Sequence, residues 1–254
     1  MSDIRVFNLK NKKTLKRISL DKKELQKVIE DNSFDLLGVS VIASNINLTN
    51  KNNEVIETLG YDEDYRLVVI EYRCGKFGST INKGLVFLDY IRQNKGKIRT
   101  LLKEKVDEEV LPNIIINPRL ISIGDDFNKY DDYAINQLPF DIDLIKYKMV
   151  DKDTLVLEKI YTNFINEEVI LSRDKKDIYE KIDEFVLSLG DEVSKTNINS
   201  CVSYRRIKNF MYILEEEYLS VILKQKNNYK KYSLKTKLDV NKIYDLIESA
   251  YDEI

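Results

Sequence analysis

Two glutamates on neighbouring predicted strands are the residues of this chain best suited to chemistry. Glu57 lies in one apolar run, and Glu71-Tyr72-Arg73 ends the run that follows it. Because side chains alternate between the two faces of a strand, Glu71 and Arg73 share a face and Tyr72 points to the other. Charged residues in a strand rich in Val and Ile are costly to bury, so their presence there requires a reason.

One such reason is a metal ion. Glu57, Glu71 and the main-chain carbonyl of Tyr72 together offer oxygen ligands, which are the ligands that Mg²⁺ or Mn²⁺ prefers. An ion held there can activate water and stabilise the transition state of phosphodiester hydrolysis. The spacing alone is also typical of a solvated Glu-x-Arg pair on an edge strand, so both interpretations stay open.

Composition excludes several other kinds of catalytic site. The chain of 254 residues has no histidine and two cysteines. The absence of histidine excludes Ser-His-Asp and Cys-His catalysis and HExxH zinc sites. Cys74 and Cys201 form no CxxC pair and predict neither a zinc site nor a disulfide framework.

The net charge of -2 hides an uneven distribution. Residues 1–103 contain 19 Lys and Arg against 13 Asp and Glu, whereas residues 104–200 contain 12 against 22. A basic N-terminal third is compatible with a localised site for a polyanion, although charges that merely solvate different faces would give the same counts.

The order of the elements predicts a mixed α/β domain followed by a small α+β domain. A helix over 20–37 has capping-box spacing at Asp21 and Glu24 and ends before Gly38. Strands follow, then a long helix over 80–94 and further strands, and the loop Asp62-Glu63-Asp64 is expected to be a solvated turn. The polar stretch 163–177 predicts a boundary between domains at 1–165 and 174–254.

Three segments in this order resemble the PD-(D/E)xK restriction-endonuclease-like superfamily, after a helix that carries Glu30. They are residues 56–63 (IETLGYDE), 68–73 (VVIEYR) and 82–90 (NKGLVFLDY). More closely, the chain resembles an uncharacterised bacterial two-domain nuclease-like family, sometimes labelled predicted transport proteins, with a small C-terminal accessory domain. The resemblance covers nearly the whole chain, but no apolar segment supports transport.

The resemblance implies a restriction-endonuclease-like mixed sheet flanked by helices and a Mg²⁺- or Mn²⁺-dependent endonuclease that acts on nucleic acid, with DNA favoured over RNA. A role in defence against foreign DNA is one such function. Glu57 and Glu71 would hold the metal, and Glu30 would support it. Arg73 would orient water and the scissile phosphate. A surface position beside Lys27 is the plain alternative for Glu30.

Two positions depart from the family pattern and bear on catalysis. Glu57 stands where the pattern usually has Asp, and Arg73 stands where it has Lys. Arginine stays protonated and cannot act as a base. We therefore hypothesise that Lys83 takes over part of the role of the missing lysine; contact with phosphate or simple solvation of a helix end are the alternatives.

Basic residues outside this cluster are candidates for binding the phosphate backbone. Near the predicted site they are Lys76, Arg92 and three residues of the following helix, Lys95, Lys97 and Arg99. In the second domain, Arg205, Arg206 and Lys208 alternate with aromatic residues that could stack on bases. Aromatic side chains in the core and charges in solvent would produce the same pattern.

The chain has neither a signal peptide nor an apolar run long enough to span a membrane, so we expect a cytoplasmic protein with no membrane partner. A homodimer or a partner protein stays open. The alternative to a nuclease is a catalytically inactive subunit on the same scaffold that binds nucleic acid or another protein.

Overall fold

Long apolar runs in the first 163 residues form a mixed β-sheet of seven strands. The computed structural model describes residues 6–10, 12–47, 55–75, 80–128, 130–163, 169, 171–198, 201–226 and 228–253. A short hairpin precedes the sheet and consists of β1 (Phe7–Asn8) and β2 (Lys13–Thr14). The strands of the sheet are β3 (Arg17–Ile18), β4 (Val39–Asn47), β5 (Val55–Asp62), β6 (Arg66–Arg73), β7 (Ile115–Gly124), β8 (Ile142–Val150) and β9 (Leu155–Asn163).

Strand β6 is central in this sheet and is buried on both faces. The sheet order is β3-β8-β7-β6-β5-β4, and β9 also pairs with β8. Strands β4, β5 and β6 are antiparallel neighbours, whereas β6, β7 and β8 run parallel. A strand that is covered on both faces needs apolar residues at successive positions, which explains the run Leu67–Ile70.

Helices cover the two faces of the sheet. On one face lie α1 (Lys22–Asp31) and α2 (Ser33–Leu37), whose apolar residues pack on Val68 and Ile70. On the other lie α3 (Thr80–Gln93) and α4 (Lys95–Lys105), which pack on Leu67 and Val69. A short 3₁₀ turn (Leu111–Asn113) and α5 (Asp131–Ile135) complete this part of the chain. The prediction of a mixed α/β architecture is confirmed.

A second sheet, with its own hydrophobic core, follows. Five antiparallel strands form it in chain order: β10 (Ser194–Ile198), β11 (Cys201–Arg205), β12 (Asn209–Glu215), β13 (Leu219–Gln225) and β14 (Asn228–Leu234). Three helices accompany it, α6 (Arg173–Ser188), α7 (Lys237–Asn241) and α8 (Tyr244–Asp252). The core joins Ile182 of α6 and Ile247 of α8 to apolar residues of the sheet. Within the described parts of the chain, no helix is long and apolar enough to cross a membrane.

The first helical segment is interrupted, contrary to the single helix predicted over 20–37. The capping box of Asp21 and Glu24 is confirmed, and Gly38 ends the segment with a left-handed φ of 65°. The helix is interrupted at Asn32, which is both the C-cap of α1 and the N-cap of α2. Asparagine bonds readily to nearby backbone groups, and the Asn32 side chain donates to the carbonyl of Val28 at 2.9 Å.

Helix α3 lies unusually close to β7, and this approach positions its first turn. The Thr80 and Ser122 hydroxyls are 2.6 Å apart at the start of the helix. One turn later, a Cβ atom added at Gly84 would lie 2.5 Å from the Cδ atoms of Leu120, which is fully buried. Only glycine therefore allows α3 to approach the sheet this closely.

We expect Gly84→Ala to destabilise the protein by about 1–3 kcal/mol, since the added methyl group overpacks a closed core. Gly96→Ala is the matched control, because it also lies in a helix but has no atom within 4 Å of its added Cβ. That change should be neutral or stabilising by up to about 1 kcal/mol. Chemical denaturation measures both, and equal effects of the two substitutions would contradict the role assigned to Gly84.

Candidate active site at the end of the central strands

Glu57 and Glu71 face each other across β5 and β6. The described register of these antiparallel strands ends at the pair Thr58 and Ile70, so Glu57 and Glu71 occupy the next position. Glu57 is 5% exposed and Glu71 is fully buried. Two carboxylates thus lie side by side at the carboxyl end of the parallel strands β6, β7 and β8, which is where ligands bind in open α/β sheets.

Hydrogen bonds from the backbone fix both carboxylates. The Glu57 backbone N–H donates to Glu71 Oε1 at 3.2 Å, and the Tyr72 backbone N–H donates to Glu57 Oε2 at 2.8 Å. Each glutamate side chain therefore accepts a bond from the opposite strand. This exchange holds the two carboxylates together and prevents either one from turning away without leaving a buried N–H unpaired.

Lys83 of α3 bridges the pair from the other side. Its Nζ lies 2.7 Å from Glu57 Oε1 and 2.8 Å from Glu71 Oε2. Lys22 of α1 also forms an ion pair with Glu57 Oε1. The side chains of Lys22 and Lys83 are 48% and 30% exposed, so these two lysines separate the buried carboxylates from solvent.

Glu57, Glu71 and Lys83 differ in their affinity for protons. Burial and the charge of Glu57 raise the pKa of Glu71 to about 7, against the opposing effect of Lys83. Burial also acts to raise the pKa of Glu57, but hydrogen bonds from Lys22, Lys83 and Tyr72 outweigh it and leave that pKa lowered. For Lys83, burial lowers the pKa, yet the bonds to both glutamates leave it above its ordinary value. Lys83 therefore remains an ammonium at neutral pH.

Glu30 reaches the same cluster from the opposite face of the sheet. Its Oε1 accepts hydrogen bonds from Thr58 Oγ1 at 2.5 Å and from Gln26 Nε2 at 2.9 Å. The Gln26 amide also donates to the Glu57 carbonyl at 2.8 Å, and Thr58 Oγ1 lies 2.9 Å from the Tyr72 hydroxyl. Glu30 is thus linked to Glu57 through neighbouring polar groups.

Sequence reasoning did not single out Lys22, Gln26 or Thr58. The i,i+4 spacing of Gln26 and Glu30 on α1 is a signal that could have revealed the hydrogen bond between these two side chains. No comparable signal marks Lys22, which reaches Glu57 across 35 positions of the chain. Thr58 was hidden because it points to the face opposite Glu57.

Arg73 makes its described contacts with α5 and the loop after β6. Its guanidinium is 3.6 Å from the carboxylate of Asp131 and donates to the carbonyl of Gly75 at 3.3 Å. Arg73, which stands where the family pattern has lysine, is therefore held at α5. Lys83 of α3 contacts the two carboxylates instead. Lys76, a predicted phosphate contact, lies outside the described residues.

The predicted solvated turn at residues 62–64 is wrong for both of its aspartates. Asp62 accepts from Arg119 Nε at 2.8 Å, and Asp64 accepts from Ser203 Oγ at 2.7 Å and from Asn209 Nδ2 at 2.8 Å. The contacts with Ser203 and Asn209 bury Asp64 against the second sheet. Sequence composition could not reveal these partners, since they lie about 140 positions away.

Arg205 belongs to the same buried region and is not available to a phosphate in this structure. It is 2% exposed, lies 3.8 Å from Asp143 and donates to Thr196 Oγ1 at 2.8 Å. Asp143 also accepts from Arg119 at 2.8 Å and pairs with Lys159 at 3.1 Å. The expected phosphate-binding role of Arg205 is therefore corrected to an internal ion pair.

Lys95, Lys97 and Arg99 on α4 are exposed, whereas the three remaining predicted phosphate contacts are partly exposed and have partners within the chain. Arg206 pairs with Glu192 at 3.3 Å. Lys208 donates to the carbonyl of Asp35 at 3.1 Å. Arg92 lies over the ring of Phe140 at 4.2 Å. Binding of nucleic acid by these side chains stays a prediction.

We expect Glu71→Gln to change how stability depends on pH. Between pH 4.5 and about 7, the folded protein keeps a proton on Glu71 that the unfolded chain has lost. As the pH rises through this window, the free energy of unfolding of the unmodified protein should therefore fall by about 1–3 kcal/mol relative to that of the variant. Urea titrations at several pH values measure the difference, with the exposed Glu217→Gln as the control. A difference that does not vary with pH would contradict the raised pKa.

No protein family, curated protein or solved structure gives a match to this chain. The geometry of the cluster formed by Glu57, Glu71, Lys83 and Glu30 is therefore the basis for the function proposed below.

Proposed function

We propose that this protein is a Mg²⁺- or Mn²⁺-dependent nuclease with a restriction-endonuclease-like core. The observation that carries the proposal is the pair of buried carboxylates, Glu57 and Glu71, bridged by Lys83 at the carboxyl end of the central strands. A buried carboxylate with a raised pKa beside a specific charged partner is typical of functional sites. The chain order of Glu30, Glu57 and Glu71 is also the order in which the resemblance places its acidic residues.

The donor set of the cluster fits a hard divalent cation. Within the described ranges, no group of three or more His, Cys, Asp and Glu side chains is arranged to hold a metal. Mg²⁺ needs only one or two carboxylates and retains several waters, so Glu57 and Glu71 suffice. An ammonium already bridges these carboxylates, so the site accommodates positive charge between them. A divalent cation, when bound, would supply Lewis acidity and an activated water.

Lys83 has a specific part in this proposal. Because its pKa is raised, it carries charge and cannot serve as a base at neutral pH. It holds Glu57 and Glu71 in the resting protein, and its flexible, partly exposed side chain can turn toward the phosphate of a substrate. Lys83 thereby supplies the charge of the lysine that the family pattern places at Arg73.

One feature of the cluster favours the alternative, a catalytically inactive subunit that binds nucleic acid or another protein. All four carboxylate oxygens of Glu57 and Glu71 already accept hydrogen bonds, from Lys22, Lys83 and the two backbone N–H groups. A fully satisfied buried cluster stabilises a fold without any ligand. The two functions differ in whether a divalent cation can displace the lysines.

Cleavage of nucleic acid tests the proposal directly. Purified protein is incubated with single- and double-stranded DNA and RNA and with Mg²⁺ or Mn²⁺. We expect Glu71→Gln to lower the rate at least about 100-fold and Lys83→Ala to lower it about 10–100-fold. Lys103→Ala, an exposed lysine on α4, is the matched control and should cleave like the unmodified protein.

Two results would overturn the proposal that this protein is a nuclease. Equal cleavage by the unmodified protein and Glu71→Gln would show that the activity comes from elsewhere. Binding of polynucleotides without any cleavage, and without any binding of Mn²⁺ that depends on Glu71, would favour the inactive subunit.

A further inference from the structure

An open cavity lies beside Glu30, on the face of the sheet that α1 covers. Its volume is about 360 Å³, and its lining consists of Lys23, Gln26, Lys27, Glu30 and Asn45. All five side chains carry a hydrogen-bonding group, and the aliphatic stems of the lysines add apolar surface, so the cavity suits a ligand with both polar and apolar parts. Through Glu30 and Gln26 it adjoins the candidate active site, because both side chains also contact the strand that carries Glu57.

One wall of the cavity is cationic. Lys23 and Lys27 are spaced i,i+4 on α1, so their exposed side chains lie on the same face of the helix. Two neighbouring ammonium groups attract a phosphate, and lysine binds phosphate as a point charge.

Neighbouring groups on the same face of α1 can recognise a base. Gln26 is 8% exposed, and its Nε2 is held by Glu30 Oε1 and the Glu57 carbonyl, so its amide is fixed in orientation. Both hydrogen bonds described for Glu30 end on Oε1, which leaves Oε2 as an acceptor. A carboxylate accepts a hydrogen bond from an exocyclic amino group, and the Gln26 side-chain oxygen can accept one as well, because its amide N–H groups are already used. The amide of Asn45 can pair with a base edge.

Asn45 is held in an unusual backbone conformation at this position. Its φ is 54°, in the left-handed region, which asparagine tolerates better than most residues. It lies on β4 between the registered pairs Ser44–Thr58 and Ile46–Ile56, which places it beside Glu57. Strained residues are concentrated at functional sites, and here the strained residue lines the cavity.

We propose that this cavity is a nucleotide subsite that binds a nucleotide next to the bond to be cleaved. Lys23 and Lys27 bind its phosphate, while Glu30 and the amides of Gln26 and Asn45 select a base with an exocyclic amino group. Adenine, cytosine and guanine carry such a group, and thymine does not. The inference rests on the proposed function for the identity of the substrate, but the binding itself requires neither metal nor catalysis.

Metal-free binding experiments separate the subsite from the nuclease. The ¹⁵N-labelled protein in EDTA is titrated with dAMP, dCMP, dGMP, TMP and inorganic phosphate, and the side-chain amide signals of Gln26 and Asn45 are followed. We expect the three amino-bearing nucleotides to bind at least about 10-fold more tightly than TMP or phosphate, since TMP offers no amino group to Glu30 Oε2.

Variants assign each part of the recognition. The double substitution Lys23→Ala and Lys27→Ala should weaken binding of every nucleotide at least about 10-fold, whereas Lys103→Ala should not. Asn45→Gly keeps the left-handed backbone and removes only the amide, so it should weaken binding with little loss of stability. Glu30→Gln should reduce the preference over TMP, because an amide can donate as well as accept.

The outcomes are distinct from those of the cleavage test. Inorganic phosphate that binds as tightly as the nucleotides, equal binding of all four nucleotides, or no change in the amide signals would overturn the subsite. Selective binding by a protein that cleaves nothing would support the subsite and reject the nuclease. Cleavage with no selective binding would support the nuclease and reject the subsite.

Discussion

Neutralising charge inside the central sheet is the constraint on which the rest of this structure depends. Carboxylates are placed at both ends of strands that are otherwise apolar, and each must find a cation because an unpaired buried charge is prohibitively costly. At the carboxyl end of β6, Lys83 pairs with Glu57 and Glu71. In the middle of β7, Arg119 pairs with Asp62 at the end of β5 and with Asp143 near the start of β8.

These two clusters have opposite characters. Arg119 is completely buried, and the Asp143 that it contacts is also paired with Lys159 and Arg205, so the second part of the chain closes this cluster. Its role is to join elements of the fold. The cluster of Glu57 and Glu71 is paired with lysine side chains that reach solvent, and the pKa of Glu71 is raised to about 7.

Patterns within one strand or helix predicted much of the sheet and the candidate site. The limits of β6 agree with the apolar run from Arg66 to Arg73, and strand alternation brought Glu57 and Glu71 together correctly. The interpretation of Asp64 failed because a Gly- and Asp-containing loop is typical of a solvated turn, and its burial depends on Ser203, which a distant part of the chain supplies. Strand β14 was missed for a related reason, since its polar residues give no apolar alternation.

By itself, the sequence determined which chemistry is open to this protein. The absence of histidine leaves carboxylates, lysine, arginine, hydroxyls and metal-bound water, and the placement of Glu57 and Glu71 within apolar strands makes these two carboxylates the foremost candidates. Only the tertiary structure decided which cation meets those carboxylates: Lys83 approaches them because Gly84 lets α3 pack against β7, while Arg73 turns to Asp131. Local spacing sets the direction of a side chain, but contacts between distant elements set its partner, and charge pairing depends on the partner.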